Sequence, residues 1–240
     1  MPPTLLALDT ATDRLAAGLL APGGRWCVNE PGGAEASARL IPLLMGLLRG
    51  AGLAMPQVQA VAFGQGPGAF TGLRTACAVA QGLAFAHDTP VLAIDSLLIV
   101  AEDARLQAGP AGDGLWWVAM DARMDEAYAA AYRHGPGGWV VQVVPQLWSL
   151  AALAEAWRAA PPQRVAGSAI QAFAERLPWG GAECWPHSAD RAAALLRLAE
   201  AAWAAGAATS ADAALPLYLR DKVAQTTAER LALRSAGATP

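Results

Sequence analysis

Two related α/β lobes, each a mixed sheet flanked by helices, are expected for this chain on three grounds. Its first 108 residues read βββαβαβα, that order restarts near residue 119, and the composition can fill a large core. The 240 residues are 55% hydrophobic and only 15% charged, with a mean hydropathy of +0.29. Disordered chains have the opposite balance. A chain of this length buries roughly 70–75% of its extended surface, enough for a core without disulfide staples. The formal net charge of −3 and the pI of about 5.6 create no global field that attracts nucleic acid.

Thr4–Asp9 is an apolar run of strand length that ends in an acid. Leu15–Ala21 and Arg25–Val28 follow, and the turn signal Pro22-Gly23-Gly24 between them completes a three-stranded meander. Ala36–Arg49 reads as a helix because Leu40, Leu43, Leu44, Leu47 and Leu48 recur at helical spacing. Ser37 is its expected N-cap, and Pro42 is expected to kink it. Val58–Phe63 reads as a buried strand, Thr71–Ala86 as a helix, Val91–Ile94 as a strand and Ser96–Gln107 as a helix. A meander followed by alternating helices and strands implies a mixed sheet with helices on its faces. That order matches the ribonuclease-H-like unit of actin-like (ASKHA) folds.

The second half starts the pattern again. Ala7-Leu8-Asp9-Thr10-Ala11-Thr12-Asp13 compares with Ala119-Met120-Asp121-Ala122-Arg123-Met124-Asp125, and a Pro-Gly-Gly turn follows both, at Pro22–Gly24 and Pro136–Gly138. A helix over Leu150–Ala160, a strand at Arg164–Ala166 and helices at Ser168–Leu177 and Arg191–Ala205 continue a degraded copy. Chance similarity in an Ala- and Gly-rich chain is the competing explanation; the repeated order of elements speaks for two lobes. The expected boundaries are 1–108 for the first lobe, 109–220 for a smaller second lobe joined near Gly109–Gly114, and 221–240 for a tail ordered only in a complex. Gly50–Leu73 and His134–Ala154 carry no charge, but Gly, Pro and Gln break them into strands and turns rather than membrane spans. Met1–Asp9 has no basic segment, so a secretory signal is not expected. Cys27, Cys77 and Cys184 are sparse and far apart, which fits buried thiols in a cytoplasmic protein.

Gly64–Arg74 (GQGPGAFTGLR) joins a buried strand to a helix. Its glycines permit tight backbone geometry, and the helix start beyond them offers unpaired N–H groups to an anion. Neither standard phosphate motif fits: no Lys follows the last glycine, and Ala69 stands where a dinucleotide loop needs its third glycine. The competing reading is a turn that lets the helix lie flat on its sheet. Within that helix Gly72, Ala76, Ala80 and Ala84 form a smooth stripe, with Val79 and Leu83 beside it. The preceding helix is apolar around most of its circumference, through Leu40, Ile41, Leu43, Leu44, Met45, Leu47 and Leu48. Two neighbouring helices with surplus apolar surface suggest a helix–helix docking face, against packing inside their own lobe. The residues expected to bind a partner are Leu40, Leu44, Leu47, Leu48, Gly72, Ala76, Val79, Ala80 and Leu83.

GQGPGAFTGLR resembles the GxGPGSFTGxR signature of the bacterial TsaB (YeaZ) family. LALDTAT at Leu6–Thr12, ARLIPLL at Ala38–Leu44, MDARMDEAY at Met120–Tyr128 and PLYLRDKVA at Pro216–Ala224 agree in order and spacing, so the resemblance runs over nearly the whole chain. It implies a two-lobed actin-like fold and a non-catalytic subunit of tRNA N6-threonylcarbamoyladenosine synthesis. Such a subunit pairs with a catalytic TsaD-type paralogue through helices of its first lobe and is joined by a TsaE-type ATPase. It reaches tRNA only through that complex, and it forms homodimers when alone. The family often has Glu-His-Ser before the first helix where this chain has Glu35-Ala36-Ser37, so no role of that histidine carries over.

The chemistry of the residues agrees with that implication. The catalytic relative holds its metal with an HxxxH pair, whereas His87, His134 and His187 stand far apart, so no metal, cofactor or catalytic residue is expected. The rival class is an ATP-binding actin-like phosphotransferase. Its phosphate loops would fall at Asp9-Thr10-Ala11-Thr12 and Asp121-Ala122-Arg123-Met124, and neither contains glycine. Asp9, Gly66, Gly68, Arg74 and Asp121 are the candidates for a residual nucleotide, anion or interlobe site. Arg74 has two candidate partners, a carboxylate on another subunit or Asp9 or Asp13 of its own lobe.

Overall fold

The computed structural model describes residues 2–33 and 36–220. Glu35 and the 221–240 tail therefore lie outside the described residues. The first lobe contains β1 (Leu5–Asp9), β2 (Arg14–Ala21), β3 (Gly24–Pro31), α1 (Ala36–Gly50), β4 (Ala60–Gly66), α2 (Phe70–His87), β5 (Val91–Asp95) and α3 (Ser96–Ala108). Its strands pair in the order β3-β2-β1-β4-β5, antiparallel within the meander and parallel across β1, β4 and β5. The chain then forms β6 (Gly114–Asp121), β7 (Glu126–Gly135), β8 (Gly138–Ser149), α4 (Leu150–Ala159), β9 (Arg164–Ala166), α5 (Ala169–Ala172), β10 (Glu183–Trp185) and α6 (Arg191–Ala204). The second sheet runs β8-β7-β6-β9-β10 with the same strand senses. Asp9 ends β1 and Asp121 ends β6, so the internal repeat is one of topology as well as sequence.

Five layers stack through the molecule. Alternation along the central strands sends Leu6, Leu8, Val61 and Phe63 to a core roofed by α1 and α2, and Leu5, Ala7, Ala60 and Ala62 to a core roofed by α6. Strands buried on both faces read as the continuous apolar runs seen in β1 and β4. α3 lies between the sheets: Ile99 joins the first, while Leu97 and Ala101 meet Val118, Ala130 and Tyr132 of the second. α4 and α5 cover the far face of the second sheet through Leu153, Trp157 and Ala169.

Several expectations need correction. Residues 191–217, expected in the second lobe, pack on the first: Ala194, Leu195 and Leu198 of α6 join its core, Thr209 bridges Val91, and Ala211 and Ala214 lie under α2. Ser37 is not an N-cap but sits inside α1, with its hydroxyl 3.0 Å from Thr75 Oγ1. α1 runs unbroken through Pro42. The helix expected over Ser168–Leu177 shrinks to Ala169–Ala172, and β10 had too few residues for a period-2 pattern. Of the three thiols only Cys77 is buried; Cys27 is half-buried and Cys184 exposed. No helix among the described residues is long and apolar enough to cross a membrane.

Candidate functional site

The two helices expected to dock a partner lie side by side on the first sheet, and five of the nine residues expected to bind it turn toward their own core. Leu40, Leu44, Ala76 and Ala80 have no exposed surface and Leu48 almost none, because these positions face the strands. The small-residue stripe lets α2 approach its own sheet closely. A Cβ on Gly72 would stand 1.8 Å from the Thr10 carbonyl oxygen, and Thr10 Oγ1 donates to the Gly72 carbonyl at 2.7 Å. Leu47, Val79 and Leu83 are only half-buried at the helix flanks. The outward apolar groups, which the sequence reading left off the docking residues, are Ile41 and Phe85, 46% and 64% exposed.

The glycine-rich junction serves backbone contact. A Cβ on Gly64 would fall 1.8 Å from Asp9 Oδ1, and one on Gly68 would fall 2.4 Å from the Ala11 carbonyl oxygen. Gly66 has φ +112°, a conformation that L side chains rarely adopt, and its N–H donates to Ser96 Oγ at 3.0 Å. Ala69 N–H donates to Ala11 O at 2.7 Å, so the first donor at the α2 N-terminus is spent on the turn after β1. Within its own lobe Arg74 pairs with neither Asp9 nor Asp13. Its Nε donates to Tyr218 Oη at 2.9 Å and its guanidinium lies 3.9 Å from the Phe70 ring centroid, a cation–π contact.

Asp9 is wholly buried and pairs with Arg191, Nε to Oδ2 at 2.6 Å, at the start of α6. Arg191 Nη2 donates to the Ser96 carbonyl at 3.2 Å, and Ser96 Oγ donates to Asp9 Oδ1 at 3.3 Å. Sequence reasoning missed this partner, 182 positions away. The one signal was an arginine at the first turn of a mostly apolar helix, where the helix dipole disfavours a cation. Asp103 holds the approach to α6 by accepting from Ala189 and Asp190 N–H at 3.0 and 2.8 Å.

The lobes are tied at further points. Tyr132 of β7 donates to Asp95, the N-cap of α3; burial pushes that carboxyl above its ordinary range, opposed by hydrogen bonds from Tyr132, Leu97 and Leu98. Burial, reinforced by Asp95, likewise raises the Tyr132 phenol. Leu217, on the first lobe, is held there by its N–H, which donates to the Gln65 carbonyl at 2.7 Å. Arg220 then crosses to the β6–β7 turn, bonding the Ala122 carbonyl at 2.9 Å and Glu126 at 2.6 Å. Arg123, Met124 and Asp125 of that turn all have positive φ, so Arg220 braces a strained segment. Asp121 faces its own turn, paired with Arg123 at 3.1 Å. The histidines stay apart: His87 ends α2, His134 meets Asp113 at 2.6 Å and His187 meets Gln171 at 3.1 Å.

A family model described as "TsaD: tRNA N6-adenosine threonylcarbamoyltransferase" matches residues 31–155. The tRNA threonylcarbamoyladenosine biosynthesis protein TsaB of Haemophilus influenzae is 42% identical over 125 residues, 52% of each chain. Its Escherichia coli counterpart is 33% identical over 134 residues, 56% of this chain and 57% of that one. The matches thus span little more than half the length of these curated relatives. YeaZ from Pseudomonas aeruginosa superposes with a TM-score of 0.81 at 39% identity, covering 90% of this chain and 100% of that structure. With that agreement over nearly the whole fold, the chain belongs to the TsaB (YeaZ) family.

Proposed function

We propose that this protein is a non-catalytic, cytoplasmic subunit of tRNA N6-threonylcarbamoyladenosine synthesis, acting by heterodimerising with a TsaD-type transferase through the outer face of α1 and α2. The observation that carries the docking role is the rim left after both helices have filled their core, with Ile41 and Phe85 outward and Leu47, Val79 and Leu83 half-covered beside them. Large apolar groups gathered on a helix pair are a liability in an isolated monomer and an anchor in a complex. Family membership supports the pathway; on this reading a TsaE-type ATPase joins the pair and tRNA is met only in the assembly. The same face serves a homodimer when the chain is alone. The phosphotransferase alternative lacks its phosphate loops: neither Asp9-Thr10-Ala11-Thr12 nor Asp121-Ala122-Arg123-Met124 contains glycine, and Ala69 N–H at the start of α2 is already given to the Ala11 carbonyl.

Mixing the purified chain with its TsaD-type partner should yield a 1:1 complex by size-exclusion chromatography with light scattering. Ile41→Arg and Phe85→Arg should weaken that complex at least about tenfold by burying an unpaired charge, while melting as the parent does. Ala80→Arg, in contrast, should unfold the chain. Normal binding by both rim variants, or threonylcarbamoyl transfer to tRNA by this chain alone, defeats the assignment.

A further inference from the structure

We propose that the outer face of α1 and α2 selects an acidic partner over a second copy of itself, with Arg74 as the anchor for a carboxylate on that partner. This rests on the docking role given to the face above. From Ala36 to His87 the chain has no Asp or Glu, although 20 of its 240 residues are acids. The same span holds Arg39, Arg49 and Arg74. The other long apolar helices mix their signs: α4 carries both Glu155 and Arg158, and α6 both Arg197 and Glu200. Arg74, Ala78, Gly82 and Phe85 are all exposed and fall on one outward stripe of α2. Ile41, Pro42 and Arg49 are the exposed counterparts on α1, whose start meets α2 where Ser37 touches Thr75. Acids stand at the margins: Glu30 is bound to Arg39 at 2.8 Å, Asp88 is the C-cap of α2, and Asp212 lies on the turn that receives Gln81.

Arg74 is exposed, yet its guanidinium is already placed. Phe70 lies under it at 3.9 Å and Tyr218 accepts from Nε, so capturing an acid costs less side-chain entropy than it does for a free arginine. Among the described residues neither terminal nitrogen of Arg74 has an acceptor, which leaves that two-pronged edge for a carboxylate. Neither Arg49 nor Arg74 forms an ion pair among the described residues. Arg49 has a local reason to be where it is, because a helix C-terminus favours a cation. Arg74, near the start of its helix, has none. In a two-fold self-pair both sides of the contact are the same surface, so these arginines meet no acid from its interior. An exposed ion pair adds little, but one enclosed at an interface is charge-assisted, and enclosed like charges exclude the wrong partner.

Two dissociation constants on the full chain test this, one for the complex with the TsaD-type partner and one for the self-pair. Analytical ultracentrifugation reads both between about 0.05 and 0.5 M NaCl. At the lower salt the self-pair should be at least about tenfold weaker than the heterodimer, and added salt should narrow that gap. Arg74→Glu should weaken the heterodimer at least about tenfold at the lower salt and tighten the self-pair. Arg49→Glu should act in the same directions, and it carries the test if Arg74→Glu fails to fold. Arg74→Lys reads the carboxylate itself. Lys222 is the chain's one lysine, and a carbodiimide joins a lysine amine to a carboxylate in contact as an amide. The Arg74→Lys complex should therefore gain a cross-link to an Asp or Glu of the partner, mapped by peptide mass spectrometry. A self-pair as tight as the heterodimer, a gap that ignores salt and both reversals, or a complex with no such cross-link overturns the proposal alone. No complex from the parent chain at any salt overturns the docking role and the proposal with it.

Discussion

Replacing Arg191 by Met should cost about 3–5 kcal/mol of folding free energy, the usual penalty for leaving one member of a buried ion pair behind. The magnitude follows from what Asp9 keeps. Its carboxylate is wholly buried and loses the 2.6 Å contact to Nε, retaining among the described residues only the Ser96 hydroxyl at 3.3 Å. A chain of this size melts about 2–4 °C lower per kcal/mol lost, so the midpoint should fall by about 6–20 °C. Asp9→Asn removes the stranded charge with little change of shape. The double variant Asp9→Asn/Arg191→Met should therefore be more stable than Arg191→Met alone, a coupling that thermal and urea unfolding by circular dichroism read directly. A single variant melting within about 2 °C of the parent, or losses that simply add, would refute the geometry of the pair.

Gly72→Ala should lose about 1–3 kcal/mol in urea unfolding, since its Cβ meets the Thr10 carbonyl oxygen at 1.8 Å. Gly82→Ala on the same helix, with nothing within 4 Å, should gain about 0.5–1 kcal/mol; reversed signs would place α2 at a different height on its sheet. Cys77 makes an alkaline prediction. Burial, then Asp9, pushes its thiol from 9.0 to about 11, so the folded chain holds that proton longer than the unfolded one. Its contribution is whole below pH 9 and lost as pH rises through 11, roughly 2–3 kcal/mol in all, and Cys77→Ala should remove that slope from urea midpoints.

The order of elements and the repeat were legible because period-2 runs and turn signals are local. Thr4–Asp9, which the structure trims to Leu5–Asp9, and Arg164–Ala166 read directly as strands. What failed was direction in space. A Gly/Ala stripe signals close approach of another backbone without saying whose, and here the neighbour is the turn after β1. The same gap hid α6: its apolar face fits either sheet, and the packing of Ala194, Leu195 and Leu198 together with the Asp9–Arg191 pair assigns it to the first. Ile41 and Phe85 were passed over as docking residues because spacing alone does not tell which arc of an all-round apolar helix remains outside.

The return of α6 to the first sheet changes what the second lobe is. Its chain leaves after α3 and comes back before α6, and the two crossings touch: Gln107 Nε2 donates to the His187 carbonyl at 3.1 Å, one turn from the Asp103 contacts with Ala189 and Asp190. Residues between those crossings form an insertion hung from a narrow two-stranded neck, inside a host whose sheet is complete without them. Any rocking of the insertion must hinge at that neck and slide α3 against β6. The bond from Tyr132 to Asp95 and the brace of Arg220 are then the latches that decide how far it swings.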